Sequence, residues 1–370
     1  MSVTVLNPFT PSFGAVPEFF VGRSFVMQEM QKAFMNWNSS PSITSLIVGP
    51  RGSGKTALLS VIGDEARKQG WIVIDAIPME DMLEDIYQKL QLEAFEVLDE
   101  KQKIKLEKIS LGNIIDFSFT DTNTPSLNWN NRFSLILKEL TEKDIGVLIT
   151  IDEATLENKE LTELVSVYQL LRRKNIKISL VLAGLPFNID NLLNGKTISF
   201  LRRAVRYPIQ TISDVDVASA LKKTIEKNKK TITEDALALA VQEIRGFPYM
   251  LQLLGYSVYE EANGNEVINI SHVAKGIDYA KEIFINSVLM STYLDLSPRD
   301  RMFLFAMLHC PLPCTMKDII KVTEKTSGYL STYKTRLLKA GVIQELPGKR
   351  LMYAMPYFIE FLEKQTELDD

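Results

Sequence analysis

Apolar residues recur at every third or fourth position from Ser24 to about Asn36, where Phe25, Met27, Met30, Phe34 and Met35 predict a helix. A Ser/Pro turn (Ser39-Ser40-Pro41-Ser42) then leads to a short apolar strand, Ser45–Val48. A glycine-rich segment, a helix over Thr56–Ala66 and a strand over Trp71–Ala76 follow. Strand, glycine-rich turn, helix and strand in that order form the rhythm of a parallel sheet. Unbroken apolar runs return at Val147–Ile151 and Ser179–Ala183, with a helix at about Leu161–Arg173 between them. Such runs read as strands covered on both faces. Between residues 79 and 140 the pattern gives only a helix around Asp81–Leu98 and a polar stretch containing Asn123, Thr124, Pro125 and Ser126.

From Ser213 to about Leu289 the pattern is helical throughout. Ser297 reads as the cap of a further helix with Pro298 at its first position. A second helix at Thr315–Thr323 and a third at about Ser327–Ala340 come next, and Gly341 suits the residue after a helix end. Val342–Leu346 and Leu351–Ala354 then read as a hairpin whose turn, Pro347-Gly348-Lys349-Arg350, is basic. Three helices and a hairpin predict a winged helix-turn-helix, closed by a helix over Tyr357–Lys364. Residues 1–19, rich in Pro, Phe and Ser, read as an extended arm running over the surface of the following domain.

The chemistry begins with Gly49-Pro50-Arg51-Gly52-Ser53-Gly54-Lys55-Thr56, which fills every required position of G-x-x-x-x-G-K-[ST] between a predicted strand and a predicted helix. Glycines let successive backbone N–H groups turn toward phosphate oxygens, and the helix N-terminus adds its positive end. Lys55 can reach the β- and γ-phosphates of a nucleotide, and the Thr56 hydroxyl can ligate Mg²⁺. The second signal is Asp152-Glu153, closing the apolar strand Val147–Ile151. Asp152 is placed to hold the magnesium shell and Glu153 to polarise an attacking water. Together the two motifs predict a P-loop nucleotide-binding protein, with ATP and Mg²⁺ as cofactors.

Several segments also resemble AAA+ ATPases of the origin-recognition and replication-initiator type. Phe20-Val21-Gly22-Arg23 resembles their "FVGR" box, which implies that Val21, Gly22 and Arg23 wall the adenine pocket. Ala183-Gly184-Leu185-Pro186 stands at the sensor-1 place. Ser199-Phe200-Leu201-Arg202-Arg203-Ala204 resembles the segment carrying arginine fingers, with Arg202 and Arg203 as the candidates. Gly246-Phe247-Pro248 resembles the glycine-x-proline lid motif of this group and of STAND signalling ATPases, which implies Pro248 beside the nucleotide. The whole chain, from Asn7-Pro8-Phe9-Thr10-Pro11 onward, looks like a widespread bacterial group of such ATPases. The resemblance implies an extended arm at 1–23, an AAA+ domain at 24–212, a helical lid at 213–292 and a winged helix at 293–370. It also implies ATP-dependent self-assembly through the fingers; the alternative is a basic helix end pairing with local acids.

The sequence departs from that family at two places. Ala183-Gly184 offers no polar side chain to orient water, and the lid arginine of sensor 2 is replaced, with Arg245 adjacent but offset. Transition-state contacts of this kind carry orders of magnitude in rate. Tight binding with slow hydrolysis is therefore expected, more switch than motor. For the C-terminal module the reading is double-stranded DNA in contact with Ser331, Thr332, Lys334, Thr335 and Arg336 of the third helix and with Lys349 and Arg350 of the hairpin. The alternative is a STAND-like regulator whose winged helix docks protein. A metabolic P-loop kinase is disfavoured, because no small-substrate lid follows the loop.

Charge refines this picture. With 370 residues, 42 Lys/Arg and 46 Asp/Glu, the net charge is −4, which as an average argues against nucleic acid. Resolved along the chain, residues 299–350 hold ten Lys/Arg and four acids, a net of +6, while residues 351–370 carry −4 and residues 1–298 carry −6. Charge thus permits DNA at one end only. Two cysteines, Cys310 and Cys314, are too few for a disulfide framework, and with His309 and His272 the only histidines they read as semi-buried thiols rather than zinc ligands. No apolar run reaches the length of a membrane span, and the N-terminus lacks the pattern of a signal peptide. A cytoplasmic protein is expected.

Overall fold

Residues 25–48 and 58–208 form one of two packed units. The computed structural model describes residues 6–12, 14–104, 128–195 and 198–369. Five parallel strands build this unit: β1 (Thr44–Val48), β2 (Ile72–Ala76), β3 (Val147–Ile151), β4 (Ile178–Gly184) and β5 (Val205–Pro208), in the order β2-β3-β4-β1-β5. Every residue of β3 and β4 is buried, as expected for central strands covered on both faces. Leu46 of β1 pairs in register with Leu182 of β4, and Ile149 of β3 with Leu180 of β4. Helices α1 (Ser24–Met35), α2 (Lys55–Lys68), α3 (Met82–Val97), α4 (Trp129–Glu142), α5 (Lys159–Arg173) and α6 (Pro186–Asn194) connect them. This is the α/β P-loop NTPase fold.

Where the chain read as illegible, α4 is regular. It begins at Asn128, whose side chain accepts from the Asn131 N–H, and buries Phe133, Ile136, Leu137 and Leu140 at helical spacing. Helix α3 starts at Met82, after Asp81, in agreement with the predicted span to within a residue. The polar stretch from Asn123 to Ser126 lies outside the described residues. Strand β5 and helix α6 are additional to the elements the sequence pattern predicts. In β5 only Tyr207 is buried, and its hydroxyl bonds Ser42 at 2.8 Å.

The other unit comprises Met1–Ser24, Gly49–Ala57 and Ile209–Asp370. Helices α7 (Asp214–Lys227), α8 (Glu234–Ile244), α9 (Pro248–Glu261) and α10 (Ile270–Phe284) account for most of the expected lid. It is not purely helical, because Thr231–Ile232 and Val267–Ile268 pair as two short parallel strands, β6 and β7. A π turn, Ile285–Leu289, joins α10 to α11 (Met290–Asp295), with the Met290 N–H bonded to the Ile285 carbonyl. Helices α12 (Pro298–Leu308), α13 (Met316–Thr323) and α14 (Ser327–Lys339), an antiparallel hairpin of β8 (Ile343–Leu346) and β9 (Arg350–Tyr353), and α15 (Phe358–Asp369) complete the chain. One continuous core runs from Val217 and Leu254 to Phe303, Leu337 and Phe361. Cys310 and Cys314 are both buried within it, and burial pushes the Cys314 thiol up to about 11.

The arm lies on the lid rather than over the following domain. Phe9 is 2% exposed, set against Tyr259 and over Gly255, where a Cβ would fall 2.4 Å from its ring. Burying one Phe contributes roughly 1.5–3 kcal/mol toward the cost of ordering this extended segment. Asn7 adds bonds to the Tyr256 carbonyl and Glu260, and Thr10 N–H bonds Gln252.

Candidate functional site

The phosphate loop runs from Gly49 into α2, whose first residue is Lys55. Gly52 (φ +72°) and Gly54 (φ +84°) occupy left-handed conformations that L side chains rarely adopt, so the sequence G-S-G is what allows the loop to curl. Gly49 is needed for space: a Cβ there would sit 2.7 Å from the Ile209 carbonyl. The curl turns the Pro50 carbonyl inward, where it accepts from Ser53 Oγ at 2.8 Å and from Lys55 Nζ at 3.0 Å. A lysine ammonium held across a loop of turned amides at a helix N-terminus is a cradle for anionic oxygens.

Arg23, carried by the arm, braces the loop from one side. Its guanidinium is buried and donates to the carbonyls of Gln210 (2.6 Å), Ser53 (3.3 Å) and Gly22 (3.0 Å). Burial pushes it below the usual arginine range, against the opposing pull of Asp216. Val21 packs on the core beside it, and Gly22 (φ +73°) is held against Ile212. Arg23 thus buttresses the loop and its neighbouring backbone. On another side lies the start of α9. A Cβ on Gly54 would be 3.6 Å from Pro248, and the Tyr249 N–H bonds the Gly52 carbonyl at 3.3 Å. Tyr249 gave no sequence signal, although its neighbour Pro248 did.

The acidic pair sits at the carboxyl end of β3, with the half-buried Asp152 followed by an exposed Glu153 at φ +52°. The Glu153 N–H bonds Asp152 Oδ1 at 2.9 Å. A non-glycine residue held left-handed is uncommon and costs of order 1–3 kcal/mol, an expense that concentrates at functional sites. Beside it, the Ala154 N–H bonds the Ala183 carbonyl at 2.8 Å at the end of β4. Ala183 and Gly184 are both buried there. Because the strands are parallel, β1 and β3 both deliver their motifs at the same edge of the sheet. Thr56 hydroxyl and Asp152 carboxylate are hard oxygen donors, the ligand type Mg²⁺ selects.

The two finger candidates differ. Both arginines end the 3₁₀ turn Ser199–Arg203 and both are exposed. Arg202 Nε donates to the Leu193 carbonyl at 2.9 Å, whereas Arg203 makes no bond or ion pair among the described residues. In the C-terminal module Ser331, Thr332, Thr335 and Arg336 are exposed along α14, and Lys334 is half-buried. Two of the cations are already paired, Lys334 with Glu345 at 2.6 Å and Arg336 with Asp300 at 2.9 Å. Lys349 and Arg350 are exposed at the hairpin turn, where Lys349 is left-handed (φ +58°).

Residues 43–193 match the AAA domain family. A second match, over residues 286–362, is to a domain of unknown function, DUF8462. Among solved structures, the Walker-type ATPase PABY2304 of Pyrococcus abyssi aligns with a TM-score of 0.64 at 17% identity, covering 94% of this chain and 97% of that one. The Aeropyrum pernix ORC2 protein, solved as ADPNP–ADP complexes, aligns with a TM-score of 0.62 at 13% identity, covering 97% and 98%. No curated protein sequence matches the chain. At these identities the structures speak for the fold, and the AAA domain is what the sequence match identifies. No helix among the described residues is long and apolar enough to cross a membrane.

Proposed function

We propose that the chain is an ATP-binding AAA+ ATPase, a slow, nucleotide-controlled switch associated with DNA through its C-terminal module. The observation that carries the proposal is the complete G-x-x-x-x-G-K-T loop folded between β1 and α2, with Asp152-Glu153 leaving the same sheet edge. Lys55 would exchange its bond to the Pro50 carbonyl for the β- and γ-phosphates, Thr56 and Asp152 would hold Mg²⁺, and Glu153 would polarise water. Slow turnover follows from Ala183-Gly184, which brings no polar side chain to the water, and from Arg245, which is exposed at the end of α8. The arm, AAA+ domain, lid and winged helix would then be the working parts, acting in the cytoplasm.

Arg203 is the better finger of the two, because Arg202 is engaged with its own chain. On this reading a non-hydrolysable ATP analogue with Mg²⁺ raises the sedimentation coefficient of the protein, and Arg203→Ala removes the increase while Arg202→Ala largely retains it. An unchanged monomer in both nucleotide conditions removes the assembly role.

The net charge of +6 over residues 299–350 and the exposure of Thr332, Lys349 and Arg350, the last donating among the described residues only to the Pro347 carbonyl of its own turn at 3.3 Å, support DNA as the partner. Lys349→Ala with Arg350→Ala should weaken duplex binding uniformly across sequences and lower the salt slope by about two. Binding that is insensitive to salt, or to this double substitution, rejects the DNA role. The second reading is a STAND-like regulator that docks protein through the same helices. It is favoured by the pairing of Lys334 and Arg336 with Glu345 and Asp300, which withdraws two cations from phosphate contact.

A further inference from the structure

Three consecutive residues of the phosphate loop are each held by a different element from beyond residue 245. Pro50 lies against Gly341, the residue between α14 and the hairpin, where a Cβ would fall 2.9 Å from the proline ring and φ is +68°. Arg51 points its Nε and Nη2 at one oxygen of Asp295, at 3.1 and 2.8 Å. Gly52 gives its carbonyl to the Tyr249 N–H and lies under Val288, 3.6 Å from where its Cβ would be.

Val288 and Asp295 belong to one irregular feature. The π turn Ile285–Leu289 inserts an extra residue into the helical path, so everything after it is rotated by about a quarter-turn relative to an uninterrupted α-helix. The turn itself sets Val288 on the loop, and the rotated last turn, α11, ends with its carboxylate on Arg51.

We propose that Asp295 is a positioning residue for the nucleotide site: acting through Arg51, it fixes the apex of the phosphate loop, and with Tyr249 of the lid and Gly341 it ties the loop's shape to the lid and the C-terminal module together. This rests on the nucleotide-binding reading above. A loop fixed before the ligand arrives loses less freedom on binding, so releasing it costs affinity. By linkage, a nucleotide seated in the loop strengthens the same ties to Gly341 and Asp295, which gives the bound phosphate a direct route to the C-terminal module. The pair is partly exposed, 34% and 47% at its two side chains, so the effect is a few-fold one.

The test is a double-mutant cycle on the full chain, read as Kd for a fluorescent, non-hydrolysable ATP analogue with Mg²⁺. Asp295→Ala and Asp295→Asn should each raise Kd by about three- to fivefold, and Asp295→Glu should restore most of the loss. In an Arg51→Ala background Asp295→Ala should add nothing, because its route to the site is gone. The melting temperature of the nucleotide-free protein should barely move, which separates positioning from general stability. A Kd unchanged by Asp295→Ala, or an equal loss with Arg51 present and absent, overturns the proposal while leaving nucleotide binding intact. Absence of analogue binding by the unaltered chain overturns the nucleotide reading itself.

Discussion

Replacing Lys55 with Ala is expected to raise the Kd for MgATP by about a hundredfold or more and to remove hydrolysis with it. Arg51, the other cation of the loop, is turned to Asp295, whereas the Lys55 ammonium at the N-terminus of α2 bonds the Pro50 carbonyl and is held over the curl. Charge-assisted bonds to phosphate are roughly twice as strong as neutral ones, and several would be lost together. The half-buried side chain packs no core, so circular dichroism and melting of the nucleotide-free protein should match the parent. Titration calorimetry checks the affinity. A Lys55→Ala protein that binds MgATP within threefold of the parent would reject the loop as the phosphate site.

Gly246→Ala should be the most damaging small substitution in the lid. Its backbone is left-handed at φ +74°, and an added Cβ would stand 2.4 Å from the Ile212 carbonyl and 2.9 Å from Thr211 Cβ. The Ile212 N–H is bonded to the Gly246 carbonyl at 2.9 Å, so neither segment can retreat without breaking that bond. The clash, the strained φ and the lost bond together cost about 3 kcal/mol or more. At roughly 2–4 °C per kcal/mol, the melting temperature should fall by about 6–12 °C. Nucleotide affinity should fall as well, since Pro248 and Tyr249 are carried into the loop by this turn. A melting temperature within 2 °C of the parent would show that the turn relaxes freely.

Much of the nucleotide-binding half was legible because its signals are local. The loop is read from eight consecutive residues, and β1, β3 and β4 from unbroken apolar runs. Strand β5 escaped because it is a four-residue edge strand ending in proline, with a single buried residue. Helix α4 had a signal that was missed: Asn128 as its cap and Phe133, Ile136, Leu137 and Leu140 on one face. Its neighbourhood of polar residues masked the period. Strands β6 and β7, at two residues each, fall below any window in which alternation can be counted.

Within the site, the division is between residue type and residue partner. The loop motif marked Arg51, the third predicted helix Lys334 and Arg336, and the family resemblance Arg23, but none of these showed what the side chains touch. Arg23 meets Gln210, Arg51 meets Asp295, and Arg336 meets Asp300, each pairing separated by dozens of residues or more and set by the packing of other elements. Long-range ion pairs leave no periodicity in a chain. Lys334 and Arg336, two of the cations on the third helix of the module, each pair with an acid of the same module, which a count of charge does not reveal.

The seat of Phe9 on Gly255 also sets an order of events during synthesis. The ring that caps α9 leaves the ribosome first, and the bare glycine it must cover follows 246 residues later. At about 5–20 residues per second, the arm waits roughly 12–50 s with its aromatic side chain uncovered. Throughout that interval Phe9 lacks the surface that buries it, and only the synthesis of α9 supplies the seat.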